Sequence, residues 1–112
     1  MSNIDQATFD ELKQISGADF INELIDTFLD DAPKLVFQIR AALDAQDADS
    51  FRRAAHSLKS NAATFGAARL AELAKEMELL GKENRLGDTG TKLTLLDEAV
   101  MSASEELKGL KS

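Results

Sequence analysis

Histidine occurs once in the 112 residues, at His56, and the residues around it are the part of the chain best suited to chemistry. An imidazole is a competent neutral nucleophile near pH 7, while its second nitrogen holds a hydrogen bond that fixes the tautomer. Lys59 follows three residues later, Arg52 precedes by four, and Arg53 and Ser60 stand close by. Spacings of three and four share one flank of a helix, so Arg52, His56 and Lys59 are expected to form a cationic stripe, with Arg53 and Ser60 turned further outward. A phosphorylated imidazole is a phosphoramidate carrying close to two negative charges, and an ammonium one turn away pairs with it at little structural cost. That role fits Lys59. The neighbours Ala55, Ser57, Ser60 and Ala63 are small, which leaves the ring open to the concave site of another protein, and reacting atoms must come within about 3 to 3.5 Å. Taken alone, a single histidine on a helix flank is an ordinary surface residue, so the surrounding chain has to decide its meaning.

Composition removes several alternatives. Twenty acidic against thirteen basic side chains give a formal net charge of −7, which repels polyphosphate backbones and argues against nucleic acid as a partner. The absence of Trp and Tyr removes the aromatic platforms on which bases stack. With no cysteine there is no disulfide framework, thiolate metal site or cysteine nucleophile. The segment from Met1 to Gln14 lacks the unbroken apolar stretch of a signal peptide or membrane span. The expectation is a cytoplasmic monomer of one domain, residues 1–112, that needs no membrane, cofactor or metal. The initiating Met and polar end favour a free-standing protein over a piece of a larger kinase.

Helices must position the histidine. Segments rich in Ala, Leu, Glu and Lys are separated by Gly17, Gly66, Gly81, Gly87 and Gly90, which read as helix punctuation, and no run has the alternation of a strand. A short first helix is expected from about Asp5 to Ile15, with Asp5 or Thr8 as N-cap, a capping box between Thr8 and Glu11, and Gly17 as its stop. Ile21, Ile25, Phe28, Ala32, Leu35, Ile39 and Ala42 form a seam that stays in phase across Pro33, so one long helix is expected, kinked where the proline crowds the Leu29 carbonyl. A third helix starts at Asp47 with the seam Phe51, Ala55, Leu58, Ala62 and Phe65, and Gly66 closes it as a left-handed cap. The fourth, from about Ala67 into the low eighties, uses Leu70, Leu73, Met77 and Leu80; the fifth uses Leu93, Leu96, Val100, Ala103 and Leu107. The stretch from Asn84 to Thr91 is the polar connection between them. Such seams bury best as an all-α, antiparallel up-and-down four-helix bundle, with the short N-terminal helix capping one end.

The run from Ala54 to Ala67, AAHSLKSNAATFGA, resembles the active helix of histidine-containing phosphotransfer domains. That family places its phosphorylated His three residues before a Lys and ten before a helix-ending Gly, matched here by His56, Lys59 and Gly66. Phe28 to Pro33 is similar to the acidic, proline-bearing stretch of the family's long helix, and Arg69 to Leu73 to the start of the helix after the active one. Ser60 departs from the family pattern, which most often has Gly after the Lys; its hydroxyl is small enough for partner access and able to bond the imidazole or the phosphoryl group. The family often carries Glu or Gln on the next helix to hold the other imidazole nitrogen, a position matched here by Glu78, beside Met77.

The resemblance implies a phosphorelay carrier: His56 takes a phosphoryl group from an aspartyl phosphate of one receiver domain and passes it to the aspartate of another. The partners implied are receiver domains of response regulators, with a hybrid sensor kinase as a further one. By itself such a domain is not an enzyme, because the receiver supplies Mg²⁺ and the charge stabilisation. Asp30 and Asp31 read as a solvated face. A helical adaptor that binds a partner without chemistry predicts the same fold. The dimerising helix pair of a sensor kinase fits less well, since that family follows its His with an acidic residue and then a Pro, and Ser57 to Asn61 has neither. A metalloenzyme bundle needs Glu-x-x-His pairs from two helices, and the single His is preceded at that spacing by Arg53.

Overall fold

The computed structural model describes residues 4–111; residues 1–3 and 112, including the start of the N-terminal segment considered above, lie outside the described residues. Five α-helices follow in order: α1 Gln6–Ser16, α2 Ala18–Asp44, α3 Ala48–Thr64, α4 Ala68–Lys82 and α5 Lys92–Leu110, with one short 3₁₀ turn at Leu86–Asp88. No strand occurs among the described residues. Each of the four long helices packs on its chain neighbour and α5 returns to α2, which closes the ring of an up-and-down bundle; α1 lies against α2. At 27 residues α2 is about 40 Å long by its rise per residue, matching the longest dimension of the molecule, 41 Å.

The seams make the core. Ile21, Ile25, Phe28, Ala32, Ile39 and Ala42 of α2, Phe51, Ala55, Leu58 and Ala62 of α3, Leu70 and Met77 of α4, and Leu96, Val100, Ala103 and Leu107 of α5 are all buried. Phe28 meets Phe65 edge to face with ring centroids 5.6 Å apart, the geometry aromatic quadrupoles favour. α2 runs unbroken through Pro33, which stands on its exposed side, where the carbonyl left without a donor can bond water. Past the proline the seam steps from Ala32 to Val36, not Leu35, which is only partly buried. Leu73 and Leu93 likewise pack at the edge of the core, while Ala74 beside Leu73 and Ala99 beside Val100 are buried.

Helix ends explain several positions that hydrophobic period leaves open. Asp47 caps α3 as expected: its carboxylate accepts from the Ser50 amide at 3.1 Å and the Ser50 hydroxyl at 2.7 Å, and these bonds hold it below the usual carboxylate range. Asp5 caps α1 through its backbone carbonyl, and its side chain accepts from the Thr8 hydroxyl at 2.5 Å. The capping box between Thr8 and Glu11 therefore does not form, because Thr8 lies within the first turn and not at the cap. Three helices end in the same six-residue closure. The amides of Asp47, Ala67 and Arg85 bond the carbonyls of Ala42, Ala62 and Leu80 at 2.9, 2.9 and 2.8 Å, with Gln46, Gly66 and Asn84 in the left-handed region at φ 57, 71 and 56°. Gly66 fits this role for a second reason. A Cβ there would lie 2.9 Å from Thr8 Cβ, and its carbonyl takes the Asp5 amide at 2.8 Å, so α1 docks directly on the α3–α4 turn.

Gln46 offsets only part of its left-handed strain, through an exposed hydrogen bond from its side-chain amide to the Leu43 carbonyl at 3.1 Å. Replacing it with glycine is expected to stabilise the fold by about 0.5 to 1 kcal/mol, since the strain of a left-handed glutamine outweighs the added freedom of the unfolded chain. Chemical denaturation of the two proteins checks this, and a lower midpoint for the glycine form would contradict it.

Two sequence expectations are corrected here. Gly81 is not punctuation: it lies inside α4 and is buried. The connection after α4 is not uniformly polar either, because Leu86 is buried in the 3₁₀ turn and Thr89 is buried with its hydroxyl on the Leu86 carbonyl at 2.7 Å.

Candidate functional site

His56 rides on the flank of α3 between core residues Ala55 and Leu58, both fully buried, and its own side chain is 57% exposed. The α3 cap and the small residue at position 55 set this outcome together: the helix is pinned by its seam, and the next position along cannot be anything but a flank. Ser57, Ser60 and Ala63 are exposed beside it, leaving the ring approachable from solvent.

Glu78 comes from α4 and holds both functional groups of α3. One carboxylate oxygen, Oε2, bonds His56 Nδ1, and the other, Oε1, accepts from Lys59 Nζ at 2.8 Å. Glu78 is 21% exposed and Lys59 30%, so the bridge is partly screened from water while the imidazole is not. The Lys59 hydrogen bond, reinforced by His56, holds the Glu78 carboxyl below its ordinary value of 4.5 against the opposing push of burial. An ionised carboxylate can only accept, so the hydrogen on this contact belongs to Nδ1 and, in the neutral ring, the lone pair is on Nε2. Lys59 keeps the Glu78 carboxylate charged.

Because the folded pKa of Glu78 lies below 4.5, its contribution to stability is present above that pH and is lost as pH falls through the folded value. Thermal unfolding of the native chain and of Glu78→Gln should therefore differ at about pH 7 and converge as pH falls through the folded value. A gap that persisted unchanged after the carboxyl has protonated would refute the assignment.

The wider cationic stripe is not assembled. Arg52 and Arg53 both turn back to Asp49, at 3.0 and 2.9 Å, so two of the basic groups expected near His56 are neutralised one turn earlier. Their first-turn carboxylate partner precedes them at spacings of three and four, which is the signal available in the sequence. Ser60 lies one turn beyond His56, but no hydrogen bond ties its hydroxyl to His56, Lys59 or Glu78; its carbonyl accepts from the Thr64 hydroxyl at 3.0 Å. Asp30 is solvated and paired with Lys34 at 3.1 Å. Among the described residues no three His, Cys, Asp or Glu side chains gather to hold a metal, and no helix is long and apolar enough to cross a membrane. An open groove of about 590 Å³ is lined by Lys59, Ala63, Ala68, Ala71 and Lys75, and not by His56; the imidazole stands on the surface beside it.

The bundle that carries this imidazole has counterparts among known proteins. The family model described as the Hpt domain matches residues 23–106, three quarters of the chain. The chain belongs to the Hpt domain family. Among curated relatives it is 30% identical over 87 residues to the phosphorelay protein LuxU of Vibrio harveyi, covering 78% of this chain and 76% of the relative. Among solved structures, histidine-containing phosphotransfer protein B from Pseudomonas aeruginosa superposes with a TM-score of 0.91 at 25% identity, over 97% of this chain and 94% of the other. The HPT domain of a sensor hybrid histidine kinase from Shewanella shares the fold with a TM-score of 0.77 at 18% identity, over 96% and 92% of the two chains. As an Hpt domain the chain serves histidine phosphotransfer in a phosphorelay. α1 precedes the matched segment but lies within the span shared with the Pseudomonas structure.

Proposed function

We propose that His56 Nε2 is the phosphoryl acceptor, that Glu78 orients the ring, and that residues 1–112 act as one carrier module between receiver domains. The observation that carries this is the grip of Glu78 on Nδ1 beside a ring more than half exposed. Attack by the neutral Nε2 lone pair on a receiver's aspartyl phosphate forms a P–N bond and breaks the acyl P–O bond, releasing the aspartate carboxylate. The proton stays on Nδ1. The ring becomes cationic as the bond forms, and the Glu78 carboxylate already faces that charge, so the donor side chain is aligned before the reaction begins. Return transfer to a second receiver reverses each change.

Lys59 has two partners to choose from. In the free protein its ammonium sits on Glu78; a phosphoryl group on Nε2 offers three further acceptor oxygens one helical turn away. The ammonium then bridges carboxylate and phosphoryl or moves to the latter. Ser60, exposed on the same side, leaves space for the receiver and has no further role in this mechanism. The receiver brings the Mg²⁺ site and most of the charge stabilisation, which phosphoryl transfer depends on, so the bundle alone is a substrate and product of the relay and not its catalyst.

The groove beside Lys59, lined by Ala63, Ala68 and Ala71 with Lys59, Lys75, Asp5 and Glu72, supplies a docking surface for an apolar receiver helix with a polar rim. Its modest size suits a brief encounter. A phosphorylated receiver mixed with this chain should lose its label as an acid-labile, base-stable phosphate builds up on the bundle. Retention of the label on every receiver tested, with an independently active receiver control, would favour an adaptor without chemistry.

A further inference from the structure

Gly81 stands where a helix has no use for glycine. It is buried, one residue before the end of α4, and its backbone is not among those with positive φ. Glycine weakens a helix relative to alanine, so its presence points to something that needs the missing side chain. That something is α3: a Cβ on Gly81 would lie 3.0 Å from the N, Cα and Cβ atoms of Arg52. None of these is the end of a flexible side chain, so the helices themselves would have to move apart.

The contact is one turn from the site on both helices. Arg52 precedes His56 by four residues, and Gly81 follows Glu78 by three, so in this antiparallel pair Arg52–Gly81 and His56–Glu78 are successive rungs about 5.4 Å apart. We propose that Gly81 is a positioning residue for phosphoryl transfer: its bare backbone sets the α3–α4 separation at which the Glu78 carboxylate reaches His56 Nδ1. This rests on the reading of Glu78 as the group that orients the ring. Lys59 has a long, jointed side chain and follows a small displacement, whereas the imidazole is held directly on its backbone by two torsions. Widening the gap therefore loosens the Nδ1 contact first. The ring is then free to carry its proton on Nε2, the nitrogen that must be bare to attack.

The test uses the whole chain with ¹⁵N-labelled histidine. In the native protein the neutral ring should show its hydrogen on Nδ1. Gly81→Ala should shift part of the population to the Nε2–H form and Gly81→Val most of it. Transfer from a phosphorylated receiver should slow in the same order, by about tenfold for valine, since small misplacements of reacting groups carry large rate penalties. Val100→Ala, in the core of α5, controls for lost stability and should leave the tautomer unchanged. If the valine form does not fold, the alanine form decides. Folded Gly81 variants that keep the native tautomer and rate, while Glu78→Ala loses both, would overturn the role of Gly81 alone. A native spectrum in Glu78→Ala would instead overturn the reading of Glu78, and this inference with it.

Discussion

Replacement of His56 by glutamine is expected to reduce phosphoryl incorporation to background while the bundle stays folded. Glutamine keeps a polar group of similar reach on the α3 flank but has no nucleophilic nitrogen, so no P–N bond forms. The chain has no other histidine and no cysteine to take over. The cost to stability should stay within about 1 kcal/mol, because the ring is more than half exposed and its one fixed contact is to a partly solvated carboxylate. Helical circular dichroism and a thermal scan establish the fold; a phosphorylated receiver, or a small histidine-directed donor such as phosphoramidate, supplies the label. Undiminished label on the variant would rule out His56 as the acceptor.

Loss of the Glu78 carboxylate should come next in severity. Glu78→Ala frees both His56 Nδ1 and Lys59 Nζ in one step. It removes the bond that fixes the tautomer and the negative charge facing the ring as it turns cationic. The transfer rate at saturating receiver should fall by about ten- to hundredfold, by analogy with the loss of a hydrogen-bond partner that orients a metal-bound histidine. Glu78→Gln should fall in between, because its amide oxygen can still accept from Nδ1 but brings no charge. Lys59→Ala leaves Glu78 in place and should chiefly shorten the life of the phosphorylated form. Equal rates for the native chain, Glu78→Gln and Glu78→Ala would mean that the contact seen in the structure has no part in transfer.

Much of this arrangement can be read from residue order. The seams of α2, α3 and α5 point to the bundle because burial imposes a period, and the same period places His56 beside the core and not in it. Asp47 and Gly66 are legible because each satisfies a backbone demand that few residues meet. The expectations that fail do so where the deciding contact is remote in sequence or chemically ambiguous. Gly81 has the look of a stop, and only the proximity of the Arg52 backbone shows it to be a crossing point. Gln46 and Asn84 adopt the left-handed conformation that glycine would have advertised. Leu35 and Val36 are adjacent and both apolar, so the seam can pass through either until packing chooses Val36.

The site divides in the same way. His56 and Lys59 lie on one helix, and their spacing alone fixes their common flank. Glu78 is 22 residues from His56, so its place is implied by resemblance to the family and its double contact cannot be read from spacing. The arginines show the converse: helical spacing puts Arg52 near His56, but the same rule puts it nearer Asp49, and the opposite charge wins. The contact between Lys59 and Glu78 gives the ammonium a partner in the free protein, beyond the phosphoryl group expected from spacing.

On the mechanism proposed above, every step depends on one nitrogen, Nε2 of His56, carrying the phosphoryl group. Phosphorylating the ¹⁵N-histidine-labelled chain and recording phosphorus–nitrogen couplings in the intact protein reads that bond itself. A single phosphoramidate signal coupled to His56 Nε2, with Nδ1 still protonated, is the expected result. A phosphate bonded through Nδ1, or one resistant to acid and mapping to Ser57 or Ser60, would refute it.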